Sequence, residues 1–137
     1  MSNFQTEQID QLKEKFGVYP VINEIELHPA YQQRELCGYC RERGIRLIAY
    51  SPLSRGAYTQ HPQMTAIGAR YGKSANQVVL RWHVQKGIVP IPKSVKAERI
   101  RANLEVFDFA LTDEEMAFID ALECNGRTGH DPYQFPL

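Results

Sequence analysis

An α/β fold with parallel strands is what this 137-residue sequence predicts. Two observations carry the prediction. Helical and strand-like stretches alternate, and strands separated by helices pair in parallel through crossovers. Polar, turn-forming residues collect just after the strand ends, the edge at which parallel α/β folds place their sites. The expected order is helix, strand, helix, strand, helix, helix, strand, helix, helix.

Each element has its own signal. Residues 5–16, QTEQIDQLKEKF, place Ile9, Leu12 and Phe16 at helical spacing, and Gly17 stops the helix. Val18 to Glu26 reads as a strand whose apolar core is Val21-Ile22, with Asn23, Glu24 and Glu26 towards its C-terminal end. His28-Pro29 makes a turn. Gln32 to Arg43 reads as a helix with Leu36, Cys37 and Cys40 on one side and Gly44 as its stop. Ile45 to Tyr50 is the next strand, and Ser51 to Gly56 a loop. Pro62 to Tyr71 is a short helix ended by Gly72. Ser74 and Gln77 form a capping box for a helix through Lys86 that presents Val78, Leu80, Trp82 and Val84. Ile88 to Ile91, broken by Pro90 and closed by Pro92, reads as a buried strand. A helix with Arg99 in its first turns follows. Thr112 and Glu115 form a second capping box, for a helix carrying Met116, Phe118, Ile119 and Leu122. From Asn125 the chain is an irregular tail.

The bulk numbers narrow the function classes. The length is that of one domain, 1–137, able to bury a core. Sixteen basic and sixteen acidic residues give no charge excess to recruit nucleic acid or an acidic membrane surface. No apolar stretch approaches the roughly 18 residues of a membrane span. MSNFQTEQ lacks the basic and apolar regions of a signal peptide, so the three cysteines are expected to be reduced and the protein cytoplasmic. Cys37 and Cys40 form a CxxC, but inside a helix and without a second ligand pair, so they read as buried structural thiols. His28, His61, His83 and His130 show no metal-ligand spacing with one another.

The richest stretch is Ile88 to Asn103, IVPIPKSVKAERIRAN. A strand end, Lys93-Ser94, a helix N-terminus and Arg99 converge on one small volume. Helix-start N–H groups, a lysine point charge and an arginine fork together suit a phosphate. The rival reading makes Lys93, Lys96, Arg99 and Arg101 a solvated helix face, and charge spacing alone favours it.

A wider pattern shifts that balance. IPKSxxxxRIxxN followed by LxVFDFxLTxEE, with SNF at residues 2–4, NEIELHP at 23–29 and AYSPL at 49–53, resembles the C-terminal half of the aldo-keto reductases. The tail Arg127-Thr128-Gly129-His130-Asp131-Pro132 is nearest in feel to the bacterial diketogluconate reductase type. The resemblance implies a partial (β/α)8 TIM barrel, with three to four parallel strands and Met1-Ser2-Asn3 as the end of the fourth. It implies NADP(H) as cofactor and reduction of a carbonyl by hydride transfer.

It also implies roles for individual residues. Ser2 and Asn3 match the pair that binds the nicotinamide carboxamide. Glu24 stands where the family often has Gln, and could accept from the carboxamide NH2 or point into a solvated groove. Tyr50 matches the tyrosine that stacks on the nicotinamide ring. Ser51, Leu53 and Arg55 match the loop that passes the pyrophosphate, Arg55 with a phosphate-binding fork. Lys93, Ser94 and Arg99 match the ligands of the 2′-phosphate, which favours NADP(H) over NAD(H). Asn103 matches the adenine contact; Ala102 departs from the Glu often found there. The HP turn makes His28 structural. Tyr133 and Phe135 could wall a substrate pocket or lie exposed in the tail.

The family's catalytic Asp, Tyr, Lys and His motifs have no counterpart in these residues, so independent turnover is in question. A half-barrel sheet has helices on one face only, and its other face and edges stay open. Self-association or a partner chain through that sheet is therefore expected. A carbonyl substrate then needs the complementary half. The rivals are a non-catalytic NADP(H)-binding or assembly module, or a truncated remnant.

Overall fold

The computed structural model describes residues 1–129 and 131. Among them the chain forms six α-helices and one parallel three-stranded sheet, in the order α1 (Thr6–Phe16), β1 (Ile22–Glu26), α2 (Arg34–Glu42), β2 (Arg46–Tyr50), α3 (Pro62–Tyr71), α4 (Ala75–Gln85), β3 (Val89–Pro90), α5 (Ala97–Leu104) and α6 (Asp113–Asp120). The sheet order is β1-β2-β3. Ile22 pairs with Arg46 and Glu26 with Tyr50, and Ile48 pairs with Val89. Ser2 adds a parallel bridge to Glu24 on the outer side of β1, the remnant of the expected fourth strand. No helix among the described residues is long and apolar enough to cross a membrane.

The helices start where the sequence provides caps. Ser74 accepts from the Gln77 amide and Gln77 reaches back to the Ser74 amide, closing the capping box of α4. Thr112 and Glu115 do the same for α6. Gln33 enters α2 in the left-handed region at φ 46°, so α2 begins at Arg34 rather than at Gln32. Gln32 is buried short of the helix, its side-chain amide donating to the carbonyls of Pro29 (2.8 Å) and Asp120 (2.9 Å).

One face of the sheet is covered. Ile25 and Ala49 are fully buried there, packed with Ile9, Cys40, Met64, Val78, Val79, Trp82 and Ile119. Trp82 ties α4 to α6 by donating to Asp120 at 2.8 Å. The other face is open, which corrects two expectations. Val18 to Val21 lie outside β1, and Val21 and Ile22 are 77% and 39% exposed, so the apolar core of that strand is Ile25. The run Ile88 to Ile91 is not a buried strand either: β3 is two residues long, with Val89 47% and Ile91 44% exposed. Val21 precedes the strand, while Ile22 and Val89 point to the face that meets no helix, since alternate strand residues point to opposite faces. Pro90, which has no N–H to donate, sits at the sheet edge as the chemistry of proline requires.

Candidate functional site

The parallel register brings the ends of β1, β2 and the Ser2–Asn3 bridge to one edge. Glu24 lies beside Ser2, and Tyr50 beside Glu26. The Asn3 amide donates to the Glu24 carbonyl at 2.8 Å, and the Ser2 hydroxyl reaches the same carbonyl at 3.2 Å. These bonds turn Asn3 into the left-handed region at φ 59°, where asparagine is tolerated. Its side-chain oxygen then accepts from the Tyr50 hydroxyl at 3.0 Å. Burial and the nearby Glu26 charge raise the Tyr50 phenol above its usual range, so it is neutral. Four residues read from the sequence, Ser2, Asn3, Glu24 and Tyr50, are thereby assembled. Among the described residues, the Asn3 NH2 and the Glu24 carboxylate have no hydrogen-bond partner.

The loop after β2 turns tightly. Ser51, Ser54 and Arg55 all have positive φ, at 48°, 46° and 55°. Such backbone costs about 1–3 kcal/mol per residue and persists only where its surroundings fix it. Leu53 packs on the core, and the Ser54 amide closes onto the Ser51 carbonyl at 2.9 Å. Arg55 is exposed, and its Nη2 donates to the Thr128 carbonyl of the tail at 3.2 Å.

Lys93, Ser94 and Arg99 lie on the β3–α5 connection and the first turn of α5, with no hydrogen bond joining them. Ser94 accepts from the Lys96 amide at 3.2 Å. Lys93 and Arg99 are exposed and make no ion pair among the described residues. Asn103 lines an apolar cavity of about 470 Å³ with Ile100, Leu104, Val89 and Phe107.

A second constellation was not assigned from the sequence. Glu26 is 1% exposed. Its carboxylate accepts from the Thr128 amide at 2.6 Å, the Thr128 hydroxyl, and the Gly129 amide at 2.9 Å. His28 lies 3.3 Å from the same carboxylate, and its other ring nitrogen 3.3 Å from the Tyr58 hydroxyl, which itself accepts from the Ala30 amide. That chain of donors assigns the imidazole proton to Nε2. Burial pushes His28 down against the pull of Glu26, so the pair is a hydrogen bond from a neutral ring. For Glu26, burial alone would raise the carboxyl, but the bonds from Thr128, Gly129 and His28 outweigh it and hold it below the usual carboxylate range. Thr128 and Glu26 stand 102 residues apart, so no local spacing could have announced the contact.

The two CxxC thiols lie in the hydrophobic core. Cys37 and Cys40 are free and buried, and burial pushes the Cys37 thiol up to about 12. Among the described residues no cluster of His, Cys, Asp or Glu could hold a metal. His130, Tyr133 and Phe135 lie outside the described residues.

Comparison with known proteins adds four findings. The family model described as "Aldo/keto reductase family" matches residues 1–123. The uncharacterised oxidoreductase YtbE of Bacillus subtilis is 45% identical over 135 residues, covering 98% of this chain and 48% of that protein. A Gox0644 variant in complex with NADPH superposes with a TM-score of 0.94 at 37% identity, over 99% of this chain and 51% of its own. A putative 2,5-diketo-D-gluconic acid reductase B superposes with a TM-score of 0.91 at 35% identity, over 98% and 49%. The chain spans about half the length of the relatives it matches.

Proposed function

The chain belongs to the aldo/keto reductase family, and from that premise we propose that it is the NADP(H)-holding portion of a carbonyl reductase. The observation that carries the reading is the Asn3–Tyr50 pair at the strand ends, beside side-chain groups of Asn3 and Glu24 that have no hydrogen-bond partner among the described residues. Those groups fit a carboxamide: the Asn3 NH2 donates to its oxygen and the Glu24 carboxylate accepts from its NH2. Tyr50 presents a half-buried ring for the nicotinamide to lie against. Ser51 and Leu53 shape the loop for the pyrophosphate, and Arg55 offers it a guanidinium. Lys93, Ser94 and Arg99 take the 2′-phosphate, and Asn103 the adenine. When bound, the reduced nicotinamide supplies the hydride. This chain's residues hold and orient the ring; the acid and base groups belong to the length of the relatives that these residues do not span. The free thiols fit a cytoplasmic setting.

Fluorescence titration tests the assignment. We expect saturable binding of NADPH and weaker binding of NADH. Arg99→Ala should weaken NADPH at least about tenfold, the worth of one charged hydrogen bond, and leave NADH unchanged. Unchanged NADPH affinity would remove Arg99 from the 2′-phosphate site.

A second reading, a binding or assembly module without turnover of its own, is favoured by the uncovered sheet face. NADPH oxidation with a simple aldehyde, measured with the complementary half supplied as a second polypeptide, separates the two: turnover supports the reductase portion, and NADPH binding without turnover the module.

A further inference from the structure

We propose that Glu26 is a positioning residue that latches the tail segment Arg127–Gly129 beside Tyr50, making that segment one wall of the carbonyl side of the nicotinamide site. The last clause rests on the reductase reading; the latch stands on geometry alone. A carboxylate 1% exposed takes hydrogen bonds from two consecutive tail amides and one tail hydroxyl. It is held from behind by His28, which is itself fixed by Tyr58. Two further bonds tie the same tail segment down: Arg55 donates to the Thr128 carbonyl at 3.2 Å, and Arg127 to the Tyr31 hydroxyl. The fit is tight. A Cβ built on Gly129 would stand 2.8 Å from Glu26 Oε2 and 3.7 Å from the Tyr50 hydroxyl, so the segment lies beside the hydroxyl end of the side chain proposed to meet the nicotinamide. An ionised carboxylate matches this cradle because it accepts only, and every group facing it donates.

Amide hydrogen exchange on the 137-residue chain, read at single residues, tests the latch. Glu26→Ala should speed exchange of the Thr128 and Gly129 amides by about tenfold or more, while Ile25 and Ala49 in the sheet keep their rates. Glu26→Gln, which keeps one acceptor oxygen, should restore part of the protection. Thr128→Val leaves the buried carboxylate in place and removes only the hydroxyl donor. It should give a smaller increase at the same two amides, which keeps the test open if Glu26→Ala unfolds. Equal Thr128 and Gly129 rates in the unaltered chain and Thr128→Val, with Glu26→Gln also unchanged, would overturn the latch. The wall is read separately, by saturation transfer from the Gly129 amide to bound NADPH. Transfer supports it, and NADPH bound without transfer overturns it. Failure of NADPH to bind at all strikes the reductase reading and leaves the exchange result standing.

Discussion

His83 is fully buried on α4, with Nδ1 2.8 Å from the Val79 carbonyl and Nε2 3.0 Å from the Leu27 carbonyl. A neutral imidazole has one proton, so one carbonyl receives a hydrogen bond and the other faces a lone pair. Both contacts pull the ring towards protonation, but burial without a counter-charge wins and pushes it down to about 4. The unfolded chain takes up this proton near pH 6.5, so between about 6.5 and 4 it binds more protons than the folded chain. Stability is then whole above pH 7 and falls as pH drops through that window, by about 3 kcal/mol for a shift of this size. Burial lowers His28 too, with the same sign. Urea unfolding at pH 7.5, 6 and 5 should show a falling midpoint, and His83→Gln should flatten the fall. A constant midpoint would mean the interior accepts an imidazolium. The same scale shows what a residue-level reading can see. Asn3 and Tyr50 could be singled out because SNF and AYSPL resemble family motifs, and the structure pairs the two side chains at the strand ends. Glu26 was not, because its donors come from the far end of the chain, and an acidic residue on a strand looks solvated until its partner is known.

Helix α4 is fastened at its first turn by one glutamine. Gln77 completes the capping box with Ser74, and its NH2 reaches the carbonyls of Ala102 (3.0 Å) and Glu105 (3.2 Å) at the end of α5. It therefore satisfies one helix start and one helix end, both of which otherwise leave polar groups orphaned. Ser74→Ala should cost about 1 kcal/mol, the usual worth of an N-cap. Gln77→Ala should cost about 2 kcal/mol, since two carbonyls lose their donor as well. It should also weaken NADPH binding, because α5 carries Arg99 and Asn103. Chemical denaturation measures the first effect and titration the second; equal costs for the two variants would show that the tie to α5 carries no stability. Capping is why the helices were readable: both boxes named from the sequence are present, and α3 spans Pro62–Tyr71 as its Pro and Gly signals require. Strand limits were less so. Apolar residues such as Val18 and Val21 signal burial only if a partner surface exists, and the sequence pattern does not state which face has one.

That missing partner surface decides how the molecule behaves as a whole. The sheet has helices on one side, while Ile22, Val89 and Ile91 are exposed, and Leu104 and Phe107 flank the apolar cavity at 69% and 71% exposure. Beyond β3 no further strand is paired among the described residues, so its edge keeps unmatched backbone groups. Formal charge is zero, so there is no long-range repulsion to hold copies apart. We therefore expect the 137-residue chain to self-associate, burying this edge and cavity against another copy or a complementary βα unit. Sedimentation velocity at several loading concentrations should show mass-action growth. Burying one aliphatic side chain is worth about 1.5–3 kcal/mol, so Val89→Lys, which also puts a charge on the edge, should weaken association about tenfold or more. The substitution lies on the exposed face, so the covered core with Trp82 at its centre should melt as before. A monodisperse, folded monomer at every concentration would show that the open face is stable in water, and the case for a docked second half would lose its physical basis.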